Sequence, residues 1–301
     1  MEKPYILHML TTAKNLSPFD VNMAMDAGWI SAVPYLNVEL GEIQGLVQDA
    51  IFSRSTENVK RTAIFIGGRD TKLAMDMLKM AQQSMVPPYE VSVLADPSGA
   101  FTTAAGMMAA VERELQKKFN TSLAGKNMLA LGGTGPVGQA AAVIAGKAGA
   151  NVRIIGRQLE RAQNIADLCN NEFGEGKTNI TAGADADKAE YIKTADIVVA
   201  TGAAGIELLS AELVASAPQL KVAADVNAVP PAGIAGVDAF QNGNVIDGSN
   251  SGAVGIGAMA IGDIKYQTHN RLLKMMFKAK KPIYLHFEHA FEVARACAKS
   301  A

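Results

Sequence analysis

Leu129-Ala130-Leu131-Gly132-Gly133-Thr134-Gly135-Pro136-Val137-Gly138 sets a short apolar strand, a glycine turn and a helix start in direct succession. Gly133, Gly135 and Gly138 fit the G-x-G-x-x-G spacing: the first permits a tight turn, the second lets backbone approach a pyrophosphate, and the third lets helix and strand pack closely. Amides at the new helix start then face the phosphates, where the helix dipole favours negative charge. Asn127 to Leu131 reads as a buried parallel strand, Gln139 to Gly149 as an Ala-rich helix, and Asn151 to Ile155 as the next strand. That βαβ context goes beyond a tight turn in any α/β protein. It predicts a dinucleotide-binding segment in which Thr134, Pro136 and Val137 complete the phosphate loop.

Working outward, Tyr5 to Leu10, Thr62 to Ile66 and Glu90 to Leu94 read as strands separated by helical patterns, which argues for a second α/β layer. Between Phe101 and Phe119, apolar Met107, Met108, Val111, Leu115 and Phe119 recur at threes and fours, as one buried helical face requires. Later strand candidates are Asn179 to Ala182, Ile197 to Thr201, Lys221 to Val226 and Asn244 to Ile246, with Gln158 to Phe173 as a connecting helix. A helical pattern from about Met259 to Lys280 is interrupted by Pro282, and a further amphipathic stretch runs from Tyr284 to Lys299. The expected fold is α/β: a Rossmann-type doubly wound parallel sheet over residues 125–258, plus a second α/β domain over residues 1–124. The helices of 259–301 complete that second domain, the polar Asn120 to Lys126 stretch is the first crossing, and a cleft opens between the domains.

The size and composition are those of a soluble globular protein. The 301 residues carry 49% hydrophobic and 19% charged residues and a formal net charge of -1, which gives no electrostatic case for nucleic acid. Cys169 and Cys297 lie far apart, so neither a disulfide framework nor a zinc site is expected, and a reducing cytosol is the simplest home. The apolar stretch ending at Leu10 is too short for a signal sequence or membrane span. His286-Phe287-Glu288-His289 lacks the H-E-x-x-H spacing and reads as a surface helix, with no metal site expected.

The strand after the glycine turn ends in Gly156-Arg157, where NAD-type sites usually carry a carboxylate for the ribose 2′-hydroxyl. Arg157, with Arg161 one helical turn later, can offer planar donors to a 2′-phosphate, so NADP is the expected cofactor, with NAD use still open. A pair of solvated arginines beside Glu160 is the other reading of these residues. Thr201-Gly202-Ala203 follows one strand and Asp225 to Asn227 another, at the carboxyl ends where ligands bind. Glycines 248 to 257, Gly255 and Gly257 among them, read either as backbone facing a flat ring or as a mobile turn.

Several of these segments together resemble the NAD(P)-dependent methylene-tetrahydromethanopterin dehydrogenases of one-carbon metabolism in methylotrophic bacteria. The likeness runs nearly end to end, through Phe19-Asp20-Val21, Ala63 to Gly68, Asp96 to Ala105, Gly133 to Gly138, Gly156-Arg157, Asp225 to Pro231 and Gly255-Ile256-Gly257. It implies hydride transfer from the methylene bridge of a reduced pterin to NADP or NAD, leaving a methenyl group, and a homo-oligomer. It places substrate contacts at Asp20, Asp96, Thr102 and Thr103. Asp20 after Ser17-Pro18 also fits a helix start, and Asp96 before Pro97 a turn. Lys265 and His269, four apart on one helix face, are candidates for orienting substrate, Lys265 as the catalytic-side residue and His269 as a substrate contact; they also fit a solvated pair. Two other readings stay open: an NADP dehydrogenase acting on methylene-tetrahydrofolate or another small metabolite, and a non-catalytic NADP-binding sensor.

Overall fold

The computed structural model describes residues 3–299. In chain order the elements are β1 (Ile6–Leu10), α1 (Pro18–Asp26), β2 (Ser31–Tyr35), α2 (Ile43–Phe52), β3 (Thr62–Ile66), α3 (Thr71–Gln83), β4 (Ser92–Ala95) and α4 (Ala100–Phe119). There follow β5 (Asn127–Leu131), α5 (Pro136–Lys147), β6 (Asn151–Gly156), α6 (Leu159–Leu168), β7 (Thr181–Ala184), α7 (Lys188–Tyr191), β8 (Ile197–Ala200), α8 (Ala211–Ala215) and β9 (Val222–Asp225). The chain closes with β10 (Asn242–Val245), β11 (Val254–Ile256), α9 (Ala258–Lys278), β12 (Tyr284–Leu285) and α10 (Phe287–Ala298).

Two compact units result, Met1–Thr102 with Tyr266–Val293, and Thr103–Lys265 with Ala294–Ala301. Sequence alone points to boundaries at 124/125 and 258/259; the division instead passes near the start of α4 and through α9. The physical reason lies in close packing along α4. A Cβ on Gly106 would sit 3.1 Å from the Lys265 nitrogen and 3.2 Å from the Ile261 carbonyl, and the buried Glu114 carboxylate lies against Gly243. Most of α4 is thereby fixed within the second unit.

The first unit holds a five-stranded parallel sheet in the order β12-β4-β3-β1-β2. Its central strand β3, Thr-Ala-Ile-Phe-Ile, is buried at every residue, as a strand covered on both faces must be. β2 tolerates Pro34 because it lies at the sheet edge, where a missing N–H breaks no ladder. Strand order reverses between β1 and β3: the chain goes outward to β2, then crosses back to the other side of β1.

The second unit holds seven strands in the order β10-β11-β9-β8-β5-β6-β7, parallel except for β10. Here the order reverses between β5 and β8. Residues 138–145 of α5 are all buried, which explains its alanine-rich composition: only small side chains let a helix lie this close to a sheet. Three sequence-based expectations need adjustment. Thr181–Ala184 forms the strand expected at 179–182, α6 gives way to a wider helical turn at Cys169–Phe173, and the stretch from Tyr284 opens with two strand residues paired to β4 before α10 begins. Among the described residues no helix is long and apolar enough to cross a membrane.

Candidate functional site

The turn after β5 is closed by glycine packing at three of its four glycines. Gly132 adopts φ +66°, and a Cβ there would lie 2.6 Å from the backbone of Gly202, so the two loops flanking the β5/β8 reversal touch. A Cβ on Gly133 would lie 2.6 Å from the Ala130 carbonyl, and one on Gly138 would overlap the Cα of Gly133. Gly135 differs: its nearest neighbours would be the Gly132 carbonyl at 3.6 Å and the Thr201 carbonyl at 3.9 Å, ordinary contact distances. The protein itself does not require glycine at 135. Gly135 is also the residue from which α5 starts, with Pro136 at its first position. Gln139 holds the loop by donating its amide to the Thr134 carbonyl at 2.9 Å.

At the end of β6, Gly156 approaches Thr134, with only 3.0 Å between a Cβ there and the threonine methyl. Arg157 and Arg161 that follow are exposed, and neither they nor Glu160 have an ion pair among the described residues. Both guanidinium groups are open to solvent.

After β8, Thr201 donates its hydroxyl to the Leu131 carbonyl at 3.0 Å, while Ala203 is exposed. After β9, Asp225 corrects the sequence reading. Its buried carboxylate accepts the N–H groups of Asn227 at 2.9 Å, Gly233 at 2.6 Å and Ile234 at 3.1 Å, so it shapes its own loop and has no face for a cofactor. Burial pushes this carboxyl above its ordinary value, against the pull of those three N–H groups. Asn227 joins the two loops, accepting from Gly205 at 3.2 Å and Val229 at 2.9 Å and donating to Pro231 at 2.8 Å. Gly255 lies within β11, so the expected turn around it is a strand. A Cβ on Gly255 would overlap the Gln241 side chain and one on Gly257 the 238–239 backbone, so close packing against that segment accounts for both glycines.

The substrate side needs a larger correction. Asp96 and Thr102 are fully buried: Asp96 Oδ1 accepts the N–H of Phe101 at 2.9 Å and of Thr102 at 3.2 Å, and Oδ2 accepts the Thr102 hydroxyl at 2.6 Å. Together they nucleate the first turn of α4, a capping role that leaves neither exposed to a ligand. His269 is also fully buried. Its ring lies 5.8 Å from that of Phe65, stacked, and 5.9 Å from that of Phe19, with Nδ1 3.8 Å from Asp96 Oδ2. It is a buttress and not a substrate contact. Asp20 is buried in the first turn of α1, whereas Thr103 and Lys265 are half-buried. His286 and His289 stack edge-on at 4.6 Å between centroids, and the described residues contain no metal-holding group of three or more His, Cys, Asp or Glu side chains.

Across 292 residues, 96% of this chain and 97% of the relative, the sequence is 44% identical to the NAD(P)-dependent methylenetetrahydromethanopterin dehydrogenase of Methylorubrum extorquens. The chain belongs to that dehydrogenase family. A second relative from the same organism, the bifunctional protein MdtA, is 32% identical over 97% of this chain and 99% of its own length. The family model for the N-terminal part of methylene-tetrahydromethanopterin dehydrogenase matches residues 18–98, from the start of α1 to the turn after β4. Residues 18–98 lie wholly within the five-stranded unit. The solved structure of shikimate 5-dehydrogenase from Listeria monocytogenes, with shikimate and NAD, shares the fold at a TM-score of 0.50 and 15% identity, covering 96% of each chain.

Sequence reasoning missed Gly132, whose left-handed backbone, φ +66°, makes the turn possible.

Proposed function

We propose that this protein oxidises a methylene-tetrahydromethanopterin-type pterin to its methenyl form, with NADP or NAD as hydride acceptor. The observation that carries this reading is the 44% identity, nearly end to end, with a dehydrogenase of that name. The room kept at Gly135 in a glycine turn otherwise closed by packing supports the cofactor half.

NAD(P), when bound, supplies the ring carbon that takes up the hydride. The C–H bond of the methylene bridge breaks with both electrons leaving on the hydride, and the positive charge left behind is shared by the two flanking nitrogens. No proton needs an acceptor, which is why the reaction makes no demand for a catalytic triad or a metal. The chain's task is alignment of the donor carbon at about 3 to 3.5 Å from its acceptor. Gly133 to Gly138 and the start of α5 hold the pyrophosphate, and Arg157 with Arg161 takes the 2′-phosphate. One charge-assisted hydrogen bond is worth about 1.5 to 3 kcal/mol, a preference for NADP of roughly tenfold to a hundredfold. Thr103 and half-buried Lys265 are the remaining candidates on the substrate side, with Lys265 orienting the substrate.

Absorbance-monitored reduction of NADP and of NAD, with methylene-tetrahydromethanopterin and methylene-tetrahydrofolate supplied separately, tests the reading. Turnover with the methanopterin compound and faster use of NADP is expected. Turnover with the folate alone, or nucleotide binding without turnover, overturns it.

A further inference from the structure

We propose a binding site for inorganic phosphate at the amino edge of the five-stranded sheet, formed by Lys60, Lys280 and Lys281 together with Ser92 and Glu90. It goes beyond the function proposed above and does not depend on it. Residues 56–60 lead towards β3, 88–91 into β4 and 279–282 towards β12, and these three strands are neighbours in the sheet. The three approaches enclose a cavity of about 120 Å³, with Thr56, Lys60, Glu90, Ser92, Lys280 and Lys281 in its lining. One water needs roughly 10 to 15 Å³, so the space is large enough for a small anion. Ligands of open α/β sheets sit outside the carboxyl ends of the strands, so a cavity at the amino ends is separate from the cofactor and substrate sites.

The charge around this cavity is one-sided. From Ile264 to Phe287 the chain carries Lys265, Arg271, Lys274, Lys278, Lys280 and Lys281 and not one Asp or Glu, although its net charge is -1. Lys280 and Lys281 end that run at the cavity, and Lys60 lines it from the β3 side. All three are exposed, and none of their side chains has a hydrogen bond or ion pair among the described residues. Their mutual repulsion is a cost that an anion in the cavity offsets.

Two further groups select the anion. Ser92 is only 6% exposed; its oxygen accepts the Ile283 N–H at 3.2 Å, and its hydrogen has no acceptor among the described residues, so it is left to donate to an occupant. Glu90 is half-buried and lines the same space, yet it forms no ion pair with any of the three lysines. A carboxylate repels a dianion unless the anion brings a hydrogen of its own. Monohydrogen phosphate does so: its one P–O–H donates to Glu90, while its charged oxygens accept from the lysines and Ser92. Sulfate has no such hydrogen, and a phosphate monoester, with a second pKa of about 6, has lost most of its own at neutral pH.

The test is calorimetric titration of the full-length protein at about pH 7.5 and constant ionic strength, with NADP saturating so that phosphate is kept from the nucleotide site. One inorganic phosphate per chain should bind saturably, with sulfate and glycerol phosphate at least about tenfold weaker, the scale of one hydrogen bond to a charged group. Lys280→Ala combined with Lys281→Ala should weaken phosphate by about tenfold or more, and Lys60→Ala should act in the same direction. Lys274→Ala, in the same basic run but outside the cavity lining, should leave its affinity unchanged. Glu90→Gln should bring sulfate close to phosphate, because the amide removes the repelling charge and offers a donor. Thermal unfolding of each variant should match the parent, which separates lost binding from lost fold. No saturable phosphate binding in the NADP-saturated parent would overturn the proposal. So would sulfate bound as tightly as phosphate by the parent, or phosphate affinity unchanged in the Lys280→Ala, Lys281→Ala variant.

Discussion

The Thr102 hydroxyl donates to Asp96 Oδ2 at 2.6 Å with both residues fully buried, and this pair joins the end of β4 to the first turn of α4. Asp96→Asn replaces one of the two acceptor oxygens with a donor while three donors still converge on the side chain. A loss of about 1 to 3 kcal/mol in unfolding free energy is expected, from a buried polar group left without its partner. Denaturant titration measures it; unchanged stability combined with a raised pterin KM would return Asp96 to the substrate site.

Gly135 and Gly138 should separate binding from folding. Gly135→Ala meets only ordinary contacts, and as a helix N-cap change it should cost less than about 1 kcal/mol, yet NADP and NAD should bind at least tenfold more weakly. Gly138→Ala forces a Cβ into the Gly133 backbone and should lower Tm steeply. Equal loss of Tm in the two variants would show that glycine at 135 serves packing alone.

Arg157→Ala should raise KM for NADP by roughly tenfold to a hundredfold and leave that for NAD nearly unchanged. Arg161→Ala should act in the same direction. Equal effects on the two nucleotides would place the 2′-phosphate elsewhere.

Acidification should weaken the fold through two histidines. Burial, aided by Arg54, holds His8 below the usual imidazole value of 6.5, and partial desolvation lowers His289, which remains exposed, against a smaller opposing effect of Glu288. Because the unfolded chain then binds more protons than the folded one, this stability is fully present above pH 6.5 and is lost as pH falls through the folded values. Unfolding free energy measured between pH 7.5 and roughly pH 5 should fall, and His8→Gln with His289→Gln should flatten that slope. A slope that survives both substitutions would assign it to other groups.

Thiol reagents should leave the native protein untouched at neutral pH. Cys169 and Cys297 are both fully buried, and burial pushes the Cys169 thiol up to about 12. Mass spectrometry should find no adduct until denaturant is added, then two per chain; rapid labelling of Cys169 in the native state would contradict its burial.

Strands buried on both faces were the most legible part of the fold. Thr62 to Ile66 and Asn127 to Leu131 read as continuous apolar runs and fold as read. β2 carries Pro34, β11 carries Gly255 and β12 has two residues; each takes its strand geometry from a neighbour and not from its own pattern. The glycine turn was legible because its spacing is set by local backbone geometry. The substrate side was not, because Asp96, Thr102 and His269 have residue types suited to catalysis and cannot be told from buried caps until burial is known.

The reversal of strand order occurs twice in this chain, once at β1/β3 and once at β5/β8, and each reversal has its own set of loops. On the function proposed above, nucleotide preference and substrate preference are written on separate stretches of the gene. Swapping the residues after β6 should move a descendant enzyme between NADP and NAD without retraining it on a new substrate, and recombination between relatives could reassort the two choices as independent traits.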